Sequence, residues 1–217
     1  RLPAPSPTTV RPDASYLVTG GMSGLGLVAA ASLAEQGARH LLLAGRKVQP
    51  DATAQAEIAR LKATGCAVHL IACDVGAADA AARLEASLAT LPPLRGIIHA
   101  AGVLDDGPVE TLGPERWLPV MIPKVAGSWN LHRMSLRRQM DFFVFFSAGA
   151  ALLGSVGQAN YSAANSVTDA IAGLRRASGL PALAIQWGGW TEVGMVARLD
   201  ERGRERWRAK GMEFITP

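Results

Sequence analysis

Thr19-Gly20-Gly21-Met22-Ser23-Gly24-Leu25-Gly26 is the stretch that decides the fold. Residues 14–19, with Tyr16-Leu17-Val18 at their centre, form a short apolar run that reads as a buried strand. Residues 27–36 are rich in Ala and Leu and read as a helix, with Gly37 as its C-cap. Gly20 permits a tight turn, Gly24 lets the backbone approach a pyrophosphate, and Gly26 lets the helix pack close to the strand. An anion then sits on free N–H groups at a helix start. The whole stretch, Thr19, Gly21, Met22, Ser23 and Leu25 included, predicts a dinucleotide site.

The same alternation continues outward. Apolar runs at 40–44, 67–72, 94–100, 141–146 and 182–187 read as strands. Helical spacing covers 54–64, 78–91, 116–136 and 159–178, with a kink or break expected at Pro123. Strands apolar on both faces, separated by helices, specify a parallel sheet covered on both sides. Right-handed crossovers make it an α/β, Rossmann-like, doubly wound sheet in a single domain. Residues 1–13 read as linker, 14–190 as the dinucleotide-binding domain, and 191–217 as a substrate lid with a truncated C-terminal segment. The last strand and helix of such a fold are not visible, so the chain reads as a piece of something longer.

Composition narrows the function. Of 217 residues, 49% are hydrophobic and 18% charged, which supplies a core and excludes disorder. The net charge of +4 is spread out apart from a cluster at 202–210, so no nucleic-acid groove is indicated. Cys66 and Cys73 read as reduced, partly buried thiols and lack a metal-ligand spacing. The uncharged run 142–168 is long enough to span a membrane. It carries Gly154, Gly157, Gln158, Asn160 and Asn165, however, and reads instead as strand, loop and helix. With no signal peptide, the expectation is a soluble, cytoplasmic protein with no nucleic-acid or membrane partner.

Ala44-Gly45-Arg46-Lys47 ends the second strand without the carboxylate that would bind a ribose 2′-hydroxyl. The Arg46 guanidinium suits a 2′-phosphate, so NADP is expected. Asp74 and Val75 follow the third strand, where they would meet the adenine. Ala100, Ala101 and Gly102 follow the fourth and let a cofactor lie against the sheet. Tyr161, with Asn165 one helical turn later, and Lys124 upstream form the reactive constellation. A phenol ionises near pH 10, and a nearby lysine is expected to lower that and to relay protons through a ribose hydroxyl. Asn165 would hold a water in the relay.

On these residues the chain resembles the short-chain dehydrogenase/reductase superfamily, and more closely a ketoreductase domain of a modular type I polyketide synthase. The resemblance rests on the glycine stretch, Cys73-Asp74-Val75, His99-Ala100-Ala101-Gly102-Val103, Gly157-Gln158-Ala159-Asn160-Tyr161, Ala164-Asn165 and Trp187-Gly188-Gly189-Trp190. It also rests on Lys124 with Val125-Ala126-Gly127-Ser128-Trp129, because these ketoreductases carry the lysine ahead of the tyrosine. What the resemblance implies is NADPH-dependent reduction of a β-keto group on a phosphopantetheine-linked acyl chain held by an acyl carrier protein. It further implies a structural half of the ketoreductase and neighbouring synthase domains as partners. It places Gly188 beside the cofactor and Asp106, Leu153, Gln158, Gly189, Trp190 and Met195 beside the substrate. Leu104-Asp105-Asp106 matches the B-type pattern, and Leu153 stands where A-type domains carry tryptophan, so a D-configured (R) hydroxyl is expected.

One position departs from the pattern. The family has Phe-Ser-Ser with the second serine thirteen residues before the tyrosine; this chain has Phe146-Ser147-Ala148. Either a one-residue slip lets Ser147 act, or Ala148 leaves the hydroxyl absent, naturally or by engineering. The second reading predicts intact cofactor binding with turnover severely reduced. Two rivals to a working reductase are a catalytically silent scaffold and a free-standing reductase of soluble ketones. The lysine position and linker-like ends argue against the free-standing one.

Overall fold

The computed structural model describes residues 10–192, 205 and 213–216. Six strands, β1 (Ser15–Thr19), β2 (His40–Gly45), β3 (Ala67–Ala72), β4 (Leu94–His99), β5 (Phe142–Ala148) and β6 (Leu183–Trp187), form one sheet in the order β3-β2-β1-β4-β5-β6. Every pairing is parallel. The crossovers carry α1 (Gly24–Glu35), α2 (Ala52–Ala63), α3 (Ala80–Leu88), α4 (Pro114–Ser135), a short α5 (Ala150–Leu153) and α6 (Ala159–Ala177). Side chains alternate across the pleat. Tyr16, Val18, Leu41 and Leu43 therefore pack with Leu33 and Ile58 on the α1/α2 side. Leu17, Leu42, Ile97, Phe143 and Phe145 pack with Leu84, Leu131 and Ile171 on the other side. This is the Rossmann-like arrangement expected. Strand order reverses between β1 and β4, and the crevice at their C-terminal ends is where ligands of such sheets bind.

Element boundaries moved for local reasons. α1 starts at Gly24, earlier than expected, because the Ser23 carbonyl already accepts from Leu27 N at 3.2 Å. α3 is shorter at both ends. Asp74 organises a turn ahead of it, accepting from Gly76 N through its side chain, and Pro92-Pro93 follows it. The break at Pro123 is not found: α4 runs through both Pro119 and Pro123. Each proline removes one backbone bond, but tertiary contacts hold the helix. Asn130 Nδ2 donates to the Val75 and Ala77 carbonyls at 3.0 and 2.9 Å. Gly127 lies so close to Val75 that a Cβ there would stand 2.9 Å from Val75 Cγ1.

Far from the glycine stretch, Arg175 is fully buried over the Phe143 ring and donates to Ser135 Oγ (2.6 Å), His132 Nδ1 (3.1 Å) and the Pro181 carbonyl (3.2 Å). These bonds tie α6 to α4 and to the start of β6. Both cysteines are buried free thiols, raised by burial. Among the described residues, no helix is long and apolar enough to cross a membrane.

Candidate active site

The glycine stretch forms a tight joint between β1 and α1. Gly20 has φ +68°, and a Cβ on it would lie 2.9 Å from Ala101 N. A Cβ on Gly26 would lie 2.2 Å from the Gly20 carbonyl oxygen, so α1 starts directly against the turn. Gly20 N donates to the Ala44 carbonyl (2.8 Å), and Ala100 N donates to the Thr19 carbonyl (3.0 Å). Ser23 makes no side-chain cap, which leaves the first amides of α1 free for an anion. Met22 is buried against Gly45, part of the core rather than of an open surface. Around this joint, Arg46 and Asp74 are exposed at the ends of β2 and β3, and Val75 is buried.

His99 closes the floor. Its Nε2 donates to the Pro123 carbonyl at 3.0 Å, so Nδ1 is left to accept from Thr19 Oγ1 at 2.6 Å. Burial first, then the Lys124 charge, pulls this imidazole down to about 3, so it stays neutral. Lys124 is 3% exposed and donates from Nζ to the Phe146 carbonyl. Burial pulls its ammonium down to about 8, and the Asp169 charge opposes the fall.

Tyr161 and Asn165 lie one turn apart on α6. Asn165 Nδ2 donates to the Tyr161 carbonyl at 2.8 Å, while its buried Oδ1 has no partner. Burial pushes the Tyr161 phenol up; the Asn165 side chain pulls it the other way, and Asp106 adds to the rise. The expected lowering by a cation is thus reversed in the protein alone, because desolvation outweighs every neighbour of the phenol. At the end of β5, Ser147 pairs with Gln186 and Ala148 with Trp187. Ser147 Oγ is buried without a partner and shares the pleat side of Phe143 and Phe145; Ala148 is 8% exposed and presents only a methyl.

The loop holding Leu104-Asp105-Asp106 is lashed to the start of α6. Gly107 N donates to the Gly157 carbonyl (2.8 Å) and Gln158 Nε2 to Asp106 Oδ2 (2.9 Å). Asn160 Nδ2 donates to the carbonyls of Asp105 (2.9 Å) and Arg116 (3.1 Å), and its Oδ1 accepts from Tyr161 N (2.7 Å). Arg116 completes the clamp through Asp105 Oδ1 and the Asp106 carbonyl. Sequence reasoning passed over Arg116, and gave Asn160 and His99 no role of their own. The position of Asn160 just before Tyr161 was the available signal for that residue.

Leu153 is 80% exposed on α5, and Leu152 and Val156 near it in sequence are also exposed. Past β6, Trp187 and Trp190 meet edge-on with centroids 5.2 Å apart, and Gly189 and Thr191 bond with Ile215. Gly188 is exposed; Met195 lies outside the described residues, as does most of the expected lid and C-terminal segment.

The KR-domain family model matches residues 14–192. Spectinabilin polyketide synthase system protein NorB of Streptomyces orinoci is 43% identical over 209 residues, which are 94% of this chain and 10% of that protein. The highly reducing polyketide synthase cm3B of Cordyceps militaris is 43% identical over 197 residues, 90% of this chain and 8% of that one. Among solved structures, A-type ketoreductases from a modular polyketide synthase superpose with a TM-score of 0.88 at 39% identity, covering 96% of this chain and 43% of theirs. A ketoreductase domain from the bacillaene assembly line gives 0.88 at 32% identity, covering 95% and 51%. The chain belongs to the KR (ketoreductase) domain family of polyketide synthases. It spans about a tenth of the length of the curated relatives it matches.

Proposed function

We propose that the chain binds NADPH and reduces the β-keto group of an acyl chain on the phosphopantetheine arm of an acyl carrier protein, giving a D-(R)-β-hydroxyl, and that Ala148 slows it. The observation that carries this is the buried Lys124 ammonium on α4, beside the Pro123 carbonyl that His99 links to Thr19 at the head of the glycine joint, together with Tyr161 and Asn165 on α6, the helix packed against α4.

The joint fits the cofactor. The absent side chains at Gly20 and Gly26 let α1 start directly against the turn, and the uncapped first amides of α1 suit a pyrophosphate. Arg46, exposed at the end of β2, suits the 2′-phosphate; Asp74 and Val75 suit the adenine; Ala100, Ala101 and Gly102 give a wall of small residues. Bound NADPH supplies hydride. Tyr161, raised by burial, holds its proton at neutral pH and gives it to the developing alkoxide. Lys124, ordinarily charged below pH 8, stabilises the phenolate left behind. The unpartnered Asn165 Oδ1 is a ready acceptor for a relay water.

Asp106, fixed by Gln158, and Leu153 support the D-configuration. The likeness to A-type structures is one of whole fold, and does not bear on those two side chains. The missing donor at 148 should cost roughly 10²–10³ in rate, about 3–4 kcal/mol. Ser147 is the fallback donor, but its pleat side points it into the core with Phe145. A silent scaffold within the synthase is the second reading, and the methyl at Ala148 is what favours it. Titrating NADPH fluorescence and following its oxidation with a β-ketoacyl thioester tests both. Binding with slow turnover supports the proposal, binding with none at all supports the scaffold, and no binding contradicts both.

A further inference from the structure

Residues 101–108 belong to no helix or strand, yet Asp105, Asp106 and Gly107 are held through both side chain and backbone. Arg116, in the first turn of α4, grips this loop twice. Its Nε and Nη2 donate to Asp105 Oδ1 at 2.8 and 2.5 Å, and Nη2 also donates to the Asp106 carbonyl at 2.6 Å. The guanidinium lies against the backbone at Gly107, where a Cβ would stand 2.7 Å from Arg116 Nη1. A planar fork with several donors reaches a carboxylate and a carbonyl at once, which a lysine ammonium does not. The main chain of the same residue is tied to α6. The carbonyls of Arg116 and Asp105 both accept from Asn160 Nδ2, at 3.1 and 2.9 Å, and Asn160 Oδ1 accepts from Tyr161 N at 2.7 Å. Asn160 is fully buried, where a broken bond is not replaced by one to water. Gly107 N and Asp106 Oδ2 are bonded in turn to the Gly157 carbonyl and to Gln158 Nε2, just ahead of α6. One arginine and one asparagine thus join the first turn of α4, the Asp105–Gly107 loop and the first turn of α6.

We propose that Arg116, working with Asn160, is a positioning residue that fixes where Asp106 stands relative to Tyr161 and thereby decides which face of the ketone is presented for reduction. The inference rests on the reading of Tyr161 as the proton donor and of Asp106 as a wall of the substrate site. Asp106 is itself exposed, so its place depends on the Arg116 fork that holds its carbonyl and the carboxylate of the preceding residue. The face reduced is set by the difference in barrier between two substrate poses, and an Asp106 free to move admits the second pose. Removing the fork leaves the bond from Tyr161 N to Asn160 in place and touches none of the residues read as holding NADPH, so reduction persists while its selectivity falls.

Arg116→Ala removes the fork, and Arg116→Lys keeps the charge with a single point of attachment. The two β-hydroxy products formed from a β-ketoacyl thioester and NADPH are separated by chiral chromatography after long incubation of the unmodified chain and of each variant. The ratio of major to minor product should fall about tenfold or more in Arg116→Ala and by less in Arg116→Lys, with the Kd for NADPH unchanged. By NMR, the Gly107 amide should exchange its hydrogen about tenfold faster in Arg116→Ala, while the Gly20 and Ala100 amides, bonded in the glycine joint, keep their rates. Arg83→Ala, which breaks the exposed pair with Asp79 at the start of α3, is the control and should alter neither readout. A role confined to stability would slow both products alike and leave their ratio as it was. An unchanged ratio in a folded variant, or unchanged exchange at Gly107, overturns the inference; Arg116→Lys supplies the same test where Arg116→Ala does not fold. Absence of both products from the unmodified chain is a different failure, that of the reductase reading, and the exchange rates then still show whether Arg116 holds the loop.

Discussion

Replacing Gly26 by alanine probes the joint on which cofactor binding depends. The added Cβ would stand 2.2 Å from the Gly20 carbonyl oxygen, and real Cβ atoms do not approach within 3.0 Å, so the carbonyl must withdraw by about 0.8 Å. It has little room to do so. Gly20 N is bonded to the Ala44 carbonyl, and the Gly20 Cα faces Ala100 and Ala101 closely enough that a Cβ there would also clash. Overpacking of this kind costs about 1–3 kcal/mol. Expressed in binding, that is roughly a 5- to 150-fold rise in the Kd for NADPH. Expressed in stability, it is a fall in Tm of roughly 3–10 °C. The control is Gly173→Ala on α6, where a Cβ meets nothing within 4 Å. There alanine should add about 0.5–1 kcal/mol of helix stability and leave NADPH binding unchanged. Thermal melts and fluorescence titration on the two variants decide the matter. If Gly26→Ala behaves like Gly173→Ala in both assays, the close joint is not what shapes the cofactor site.

Two further outcomes follow from the charges. Arg46→Ala should weaken NADPH binding by about 10- to 150-fold, the worth of a charged hydrogen bond at about 1.5–3 kcal/mol, and leave NADH binding nearly unchanged; equal losses for both would move the 2′-phosphate contact elsewhere. His99, pulled from an ordinary value near 6.5 down to about 3, takes up a proton in the unfolded chain before it does in the folded one. Stability should therefore be flat above about pH 6.5 and fall toward pH 3, by at most ~1.4 kcal/mol per unit from this group. His69 and His132, also lowered by burial, act in the same direction below about pH 6.5. His99→Gln should flatten the slope in Tm against pH, and an unchanged slope would assign the acid sensitivity to those two and to the carboxylates held low by arginines, Glu57 and Asp79.

The sheet was legible because its strands are apolar on both faces and the glycine stretch fixed where the first of them ended. Residues 94–99 and 142–148 needed only that pattern. Boundaries that depended on partners distant in sequence were less legible. α4 survives Pro123 because Asn130 and Gly127 hold it to the loop after β3, and no window around Pro123 contains that information. α5 was missed because four residues carry too little periodicity. At the candidate site, residue types and spacing were enough to propose Lys124, Tyr161 and Asn165. The environment of each was not: the phenol is raised because α6 and its surroundings desolvate it, a property of the packed state. For the same reason the buried Arg175 and its partners His132 and Ser135 gave no sign in a sequence where arginine is ordinarily a surface residue.

NADPH oxidation with a β-ketoacyl thioester, measured on the chain and on its Ala148→Ser variant, tests the central claim most directly. A gain of about a hundredfold or more in the variant, with NADPH affinity unchanged in both, is the predicted result. Equal rates in the two chains would mean that position 148 is not where the missing hydroxyl belongs. Inactivity in both, with NADPH bound, would contradict the account of this domain as a reductase.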